Sequence, residues 1–432
     1  MTGRFPLTRR QFTATTIASS AWLALGATAF TRQTPAASPV PGETVDALTT
    51  AMEGLLQRWG LPGAQLAVGH DGMLVYNAAF GLADVEAAEP VTTGSRFRIA
   101  SVSKTITAVG ILHLVDQGAL TLDTAVFPLL ALEPPPGAEL DPRLDQITVR
   151  DLLIHAGGWN SATSGDPQYI PLAYEAAGVV GVEAPPQGID IIRFMLGSSL
   201  DFDPGSQAAY SNFGFNVLGR VIEHVSGVSY EDYIQANILA PAGITDMQLG
   251  KTRLVDRAPN EVRYYQPPEY PATVPSVFPG EGYVPFAYGS FFMDAMDSHG
   301  GWIATAADLV RYALAIDGQR GEPLLQPATI DTMLTTLHPE FIGYNGAAND
   351  RPATGLGWVI QPGPLGQQWA HTGALGGSTS ALLLRTDGGL ALAYVTNSLP
   401  ADFIGYFADL ESTLTETLAS IRAWPTTDPF AD

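Results

Sequence analysis

Ser101-Val102-Ser103-Lys104 places a hydroxyl and an amine three residues apart. On a helix such positions share a face, so Ser101 Oγ and Lys104 Nζ can meet. A serine hydroxyl is a weak nucleophile until a neighbour takes or stabilises its proton. A lysine can do this only if burial or a nearby cation lowers its pKa, because desolvation disfavours the charged form. Ile106, Val109, Leu112 and Val115 make the following helix apolar nearly all round, which implies that burial. Ser101 at the helix N-terminus also finds free N–H groups that favour a developing oxyanion. The plain alternative is an N-cap serine with a solvated lysine one turn on. Against it, Lys104 and Lys251 are the only lysines among 21 basic residues. A chain that otherwise uses arginine keeps lysine where a deprotonatable amine is useful.

Two other patterns could complete a site. Tyr210-Ser211-Asn212 follows Pro204-Gly205 and opens a helix. A phenol near a lysine can shuttle a proton, and an Asn amide can hold a substrate carbonyl and the lysine together. Taken alone, the pattern also fits a core tyrosine beside a capping Ser or Asn. His371-Thr372-Gly373 ends a strand ahead of Ala374, Gly376 and Gly377. A strand edge beside a nucleophile can offer a backbone N–H to an oxyanion, and glycines let substrate approach. A lone strand histidine is otherwise a satisfied structural residue.

The elements that must position these residues follow from periodicity. Val45, Leu48, Met52, Leu55 and Trp59 recur at helical spacing, with Gly60 and Pro62 ending the helix. Strands Ala64–Gly69 and Met73–Phe80 are joined by Asp71-Gly72. From Ser101 to about residue 297 the pattern turns to helices, at 101–117, 213–226 and 230–239, with Pro-, Gly- and Tyr-rich loops at 160–190 and 257–290. Thr305 and Asp308 then form a capping box. Strands follow near Trp358–Ile360, Gln368–Ala370, Ser378–Arg385 and Leu390–Thr396, with Asp387-Gly388 as the last hairpin. Phe403, Phe407, Leu410, Leu414, Leu418 and Ile421 mark a closing helix. The expected fold is α+β: an antiparallel sheet from residues 44–100 and 300–424, flanked by terminal helices, with a helical domain, 101–299, inserted between.

The length of 432 residues exceeds the roughly 250–300 at which one core stops growing, which accords with two subdomains. A net charge of −22 argues against nucleic acid and anionic membrane surfaces as partners. With no cysteine there is no disulfide, thiol nucleophile or lipid-anchored cysteine. Residues 1–29 read as a twin-arginine signal peptide, with Thr8-Arg9-Arg10-Gln11-Phe12 followed by an apolar run to Ala27-Thr28-Ala29. Residues 30–43 read as a flexible lead-in. Export to the periplasm or the medium follows, with no stable span in the mature chain. The seven histidines show no pair at ligand spacing, so neither metal nor cofactor is expected. Gly-x-Ser-x-Gly, phosphate-binding Gly-Lys and His-Glu-x-x-His motifs are absent.

Ser-x-x-Lys, Tyr-x-Asn and a His-Thr-Gly strand, in this order, resemble the serine β-lactamase and penicillin-binding-protein superfamily. The likeness is to its class C branch and the related esterases and D-amino-acid peptidases. Leu152-Leu153-Ile154-His155 with Gly157-Gly158, Pro204-Gly205, Gly300-Gly301 and Gly355-Leu356-Gly357-Trp358 extend it over residues 44–421. The resemblance implies a β-lactamase/transpeptidase-like fold and acyl transfer through a Ser101 acyl-enzyme. Lys104 and Tyr210 would handle the proton, in either order. Asn212, His371, Thr372 and Gly373 would line the substrate site, and the N–H groups of Ser101 and Ala374 would form the oxyanion hole. His371 stands where class C β-lactamases usually carry lysine, and Ala374 where a serine is common. Both weaken the case for a carboxylate-bearing substrate. Expected substrates are therefore small esters, amides or D-amino-acid peptides. β-Lactamase or DD-carboxypeptidase activity is the alternative, and a catalytically silent binding homologue is a second. The aromatic loop at 257–290 reads either as a lid over the pocket or as packing onto its own domain.

Overall fold

Helix α1 (Gly42–Trp59) buries Leu48, Met52 and Leu55 and stops where Gly60 turns left-handed. The computed structural model containing it describes residues 42–336, 338, 341–342, 354–375, 379–425 and 428. The segment expected to be a signal peptide, most of the expected lead-in, Gly376 and Gly377 lie outside the described residues. Strands β1 (Gly63–His70) and β2 (Met73–Asp84) form the first hairpin, with Asp71 and Gly72 both at positive φ, as a two-residue turn requires. A two-residue strand β3 (Glu89–Pro90) pairs with the end of β2.

Along the middle of the chain run α2 (Ser103–Asp116), α3 (Asn212–Ser226) and α4 (Ala306–Ala315). Strands β4 (Val359–Gly363), β5 (Gly366–Leu375), β6 (Thr379–Thr386) and β7 (Leu390–Thr396) follow, and α5 (Phe403–Ser420) closes the chain. The seven strands form one sheet in the order β4-β5-β6-β7-β1-β2-β3. β7 from the C-terminal stretch pairs antiparallel with β1 from the N-terminal one, Ala64 opposite Thr396 and His70 opposite Leu390.

The strands are buried on both faces by alternation. Leu66, Val68, Leu392 and Tyr394 meet α1 and α5 through Leu48, Met52, Tyr406, Leu410 and Leu414. Ala67, Ala391, Ala393 and Val395 face the other way, into a core shared with Val310 and Leu314 of α4 and Ala108 and Leu112 of α2. The capping box at Thr305 and Asp308 opens α4 as expected.

Three expectations change, and the aromatic loop gains contacts for one of its two readings. The β6–β7 loop has three residues, and Gly389 rather than Gly388 takes the left-handed conformation. On α5 the buried stripe runs through Tyr406, Leu410, Leu414 and Leu418, whereas Phe403 is exposed, because Tyr406 reaches Tyr394 to form a phenol–phenol hydrogen bond of 2.8 Å. The 160–190 loop contains a helix, Leu172–Val180, whose Ala173, Ala176, Ala177 and Val180 make a buried stripe too small and too Gly-bounded to stand out. In the 257–290 loop Tyr264 and Tyr288 are buried around Arg98, whose guanidinium lies 4.3 and 5.5 Å from their ring centroids. These two tyrosines pack onto the domain. Tyr283 is exposed.

Candidate active site

A short strand, Phe97–Arg98, pairs with Trp302–Ala304 and leads directly to Ser101. Ser101 sits in a single 3-10 turn, Ala100–Val102, and α2 begins only at Ser103. The expected helix at 101–117 is therefore a tight turn joined to a helix. Ala100 adopts φ +46°, an uncommon conformation for a residue with a Cβ. The turn is tied to the small sheet by Ile99 N–H donating to Trp302 O at 3.0 Å.

The spacing of Ser101 and Lys104 survives that junction. Lys104 is fully buried, and its Nζ lies 3.2 Å from Ser101 Oγ. It also donates to Asn212 Oδ1 and to the carbonyl of His299, each at 2.7 Å. Burial pushes the Lys104 pKa well below the usual lysine value, and the nearby Asp166 carboxylate partly opposes that shift. The helix interior around it explains the burial: every residue of α2 from Ser103 to Leu112 is inaccessible to solvent or nearly so.

Tyr210 follows the two-residue strand Ala208–Ala209 and stands two residues before α3. Its phenol donates to Ser101 Oγ at 2.7 Å. Burial raises its pKa, so the phenol keeps its proton. Ser211 caps α3, accepting Gly214 N–H at 3.1 Å, which leaves Tyr210 and Asn212 for the site. Asn212 Nδ2 donates to Asp166 Oδ2 at 2.7 Å. A carboxylate can only accept, so Asp166 turns the amide with its nitrogen outward and its oxygen toward Lys104.

Asp166, Gln168 and His299 were not expected at the site. Gln168 Nε2 donates to Asp166 Oδ2 at 3.1 Å, and Gln168 Oε1 meets His299 Nε2. The ring closes where the His299 carbonyl accepts from Lys104. Asp166 and Gln168 come from an irregular segment without periodicity, and His299 contributes a backbone atom, so no sequence signal marks them.

On β5, His371, Gly373 and Leu375 face the Ser101 turn, alternating with Thr372 and the exposed Ala374. A Cβ at Gly373 would lie 2.2 Å from Ile99 O and 3.2 Å from Ser101 N, so only glycine allows this contact. Pairing with β4 ends at Ala370, so residues 371–375 run beyond that neighbour alongside the turn. Burial and the Lys104 charge lower the His371 pKa to about 4, which leaves the ring neutral near pH 7. Its Nδ1–H donates to the carbonyl of Thr372 at 2.6 Å. Ala100, Phe291, Met293, Met296 and Leu375 form a small apolar cluster beside Ser101, with Tyr169 packed against it. Among the described residues no three His, Asp or Glu gather in a way that would hold a metal ion.

A family model described as Beta-lactamase matches residues 48–409. Penicillin-binding protein 4* of Bacillus subtilis (strain 168) is 27% identical over 358 residues, covering 81% of this chain and 71% of that protein. Esterase EstB of Burkholderia gladioli is 32% identical over 209 residues, 46% of this chain and 50% of the esterase, so that match spans half of its length. The crystal structure of D-amino acid amidase from Ochrobactrum anthropi SV3 complexed with D-phenylalanine shares the fold. Its TM-score is 0.67 at 23% identity, over 88% of this chain and 100% of that one.

Proposed function

Because this chain belongs to the beta-lactamase family, we propose that it hydrolyses small esters or amides by acyl transfer through a covalent intermediate on Ser101. The observation that carries this reading is the position of Ser101 Oγ, 3.2 Å from Lys104 Nζ and 2.7 Å from the Tyr210 hydroxyl.

The hydrogen bonds favour one division of labour. A neutral amine has two N–H groups and one lone pair. Asn212 Oδ1 and His299 O, both at 2.7 Å, take the two N–H groups, which turns the lone pair toward Ser101. The Ser101 proton then passes to Lys104 as Oγ bonds the substrate carbonyl carbon. Tyr210, held neutral by burial until then, gives its proton to the departing alkoxide or amine, which leaves a phenolate near the Lys104 ammonium. In deacylation the Tyr210 phenolate takes a proton from water as its oxygen bonds the acyl carbon, and Lys104 returns its proton to Ser101 Oγ as that C–O bond breaks and frees the acid. The tetrahedral oxyanion lies between the N–H of Ser101 and that of Ala374 on the neighbouring strand.

Substrate charge follows from the same groups. Neutral His371 offers no cation to a substrate carboxylate, and the Asp166 carboxylate stands behind Asn212. The net charge of −22 repels anions further. The cluster of Ala100, Phe291 and Leu375 favours an apolar acyl or alcohol part. An uncharged ester, or an amide of a D-amino acid, suits this site better than a β-lactam or a D-Ala-D-Ala end. Arg9 and Arg10 before the apolar run to Ala29 support twin-arginine export, by which the enzyme would act outside the cytoplasm. Among the described residues no helix is long and apolar enough to cross a membrane.

The likeness to penicillin-binding protein 4* keeps a second reading, β-lactamase or DD-carboxypeptidase activity. One assay separates the two: turnover of a short p-nitrophenyl ester beside nitrocefin, with Ser101→Ala as control. Ester turnover lost in the variant, with nitrocefin untouched, is expected. Fast nitrocefin turnover supports the second reading, and ester turnover that persists in Ser101→Ala refutes the mechanism.

A further inference from the structure

Tyr210 must hold its phenol on Ser101, yet it lies between a two-residue strand and the start of α3, outside regular structure. His155 meets the three residues centred on it. Its carbonyl accepts Ala209 N–H at 2.9 Å. Its ring stacks on the Tyr210 ring, with centroids 4.7 Å apart and planes 28° from parallel. Its Nδ1 accepts Ser211 N–H at 3.2 Å. On another side the imidazole meets Phe215 of α3, with centroids 5.1 Å apart. His155 itself is buried and held at φ +60°, a conformation that costs energy in a residue with a Cβ and persists only where the surroundings enforce it.

A ring nitrogen that accepts a backbone N–H carries no proton, so this imidazole is neutral with its proton on Nε2. Burial, Lys104 and His371 all keep it so. A protonated ring would lose the Ser211 contact and bring a charge into the buried pocket beside Lys104.

We propose that His155 is a positioning residue for the reaction, fixing the Tyr210 phenol on Ser101 by ring stacking and by its Nδ1 contact to Ser211. This role rests on the Ser101 mechanism and acts through Tyr210 alone. The two contacts separate chemically. His155→Phe keeps the stack and loses the acceptor; His155→Gln keeps an acceptor and loses the stack; His155→Ala loses both.

The test is a double-mutant cycle on p-nitrophenyl ester hydrolysis, with each His155 variant made in the wild type and in Tyr210→Phe. His155→Ala is expected to lower kcat roughly 10- to 100-fold, below the loss of the whole proton-transfer group, with KM changed less than about threefold. Phe and Gln fall between. In Tyr210→Phe the same substitutions are expected to change kcat by less than about twofold. Losses as large in Tyr210→Phe as in the wild type overturn the proposal, as does a rise in KM at constant kcat. If His155→Ala does not fold, His155→Phe closes the cycle alone. Failure of the underlying mechanism shows separately, as unchanged hydrolysis by Ser101→Ala.

Discussion

Gly373 and the carbonyl of Ile99 are in such close contact that a single methyl group would separate them: a Cβ on Gly373 would lie 2.2 Å from that oxygen. The obstructing atom is backbone, two residues before Ser101, and cannot swing aside. Gly373→Ala therefore forces β5 and the Ser101 turn apart by the better part of an ångström. A displacement of that size between reacting groups costs about 100-fold in rate. Ester kcat/KM measured beside a thermal melt tests this, since the expected variant remains folded yet nearly inactive. A fully active Gly373→Ala would mean that β5 takes no part in the reaction.

The charge of Asp166 should be visible in the pH dependence. Its carboxylate favours the ammonium form of Lys104, whereas hydrolysis requires the free amine. Removing the charge lowers the Lys104 pKa further, so more amine is free at low pH. Asp166→Asn keeps an oxygen for Asn212 and should move the acid limb of kcat/KM to lower pH. A limb that stays in place or moves up would rule out Lys104 as the group whose deprotonation starts the reaction.

Stability should also depend on pH through the buried imidazoles. His371 drops from the usual 6.5 to about 4 on folding, so between those values the unfolded chain binds more protons than the folded one. The His371 contribution is therefore complete above pH 6.5, declines as the pH falls toward 4, and levels off below it. His371 alone accounts for roughly 3 kcal/mol over that window. His155 and His299, also shifted down by burial, act in the same direction. Urea unfolding between pH 4 and 7 reads the slope, which should flatten in His371→Gln. An equal slope in that variant would assign the acid sensitivity elsewhere.

Much of this architecture was legible because few residue types satisfy its local demands. Asp71-Gly72 supplies two consecutive positive φ angles, and Thr305 with Asp308 supplies reciprocal caps. Ser101, Lys104, Tyr210 and Asn212 were legible as spaced motifs, and the fold brings them within hydrogen-bond reach of one another. The groups around them were not. Asp166 and Gln168 act from an irregular segment and His299 through its carbonyl, and none of these features leaves a periodic trace. His155 was visible only as part of a framing segment, since a ring contact across 55 residues of chain has no local signature. The helix at Leu172–Val180 was missed because alanines at the buried positions resemble loop composition.

The 257–290 loop offers the last prediction, because its two readings part at Glu261 and Tyr283. Glu261 is buried 3.7 Å from Arg98, accepts the Tyr264 phenol at 2.8 Å and accepts Ala258 N–H at 2.9 Å. Arg98 in turn donates to the carbonyls of Ala287, near the end of the loop, and Lys251, just before it, each at 2.7 Å, and so ties these segments to the strand leading into Ser101. Glu261→Ala leaves a buried guanidinium without its counter-charge, a change that typically costs 3–5 kcal/mol. The thermal midpoint should fall by several degrees, and proteolysis should cut within 257–290 before the rest of the chain. Tyr283, 73% exposed, has no such anchoring role. Tyr283→Ala should leave both the melt and KM unchanged if the loop serves as packing. A several-fold rise in KM for Tyr283→Ala, with the melt unmoved, would instead make this part of the loop a lid over the substrate.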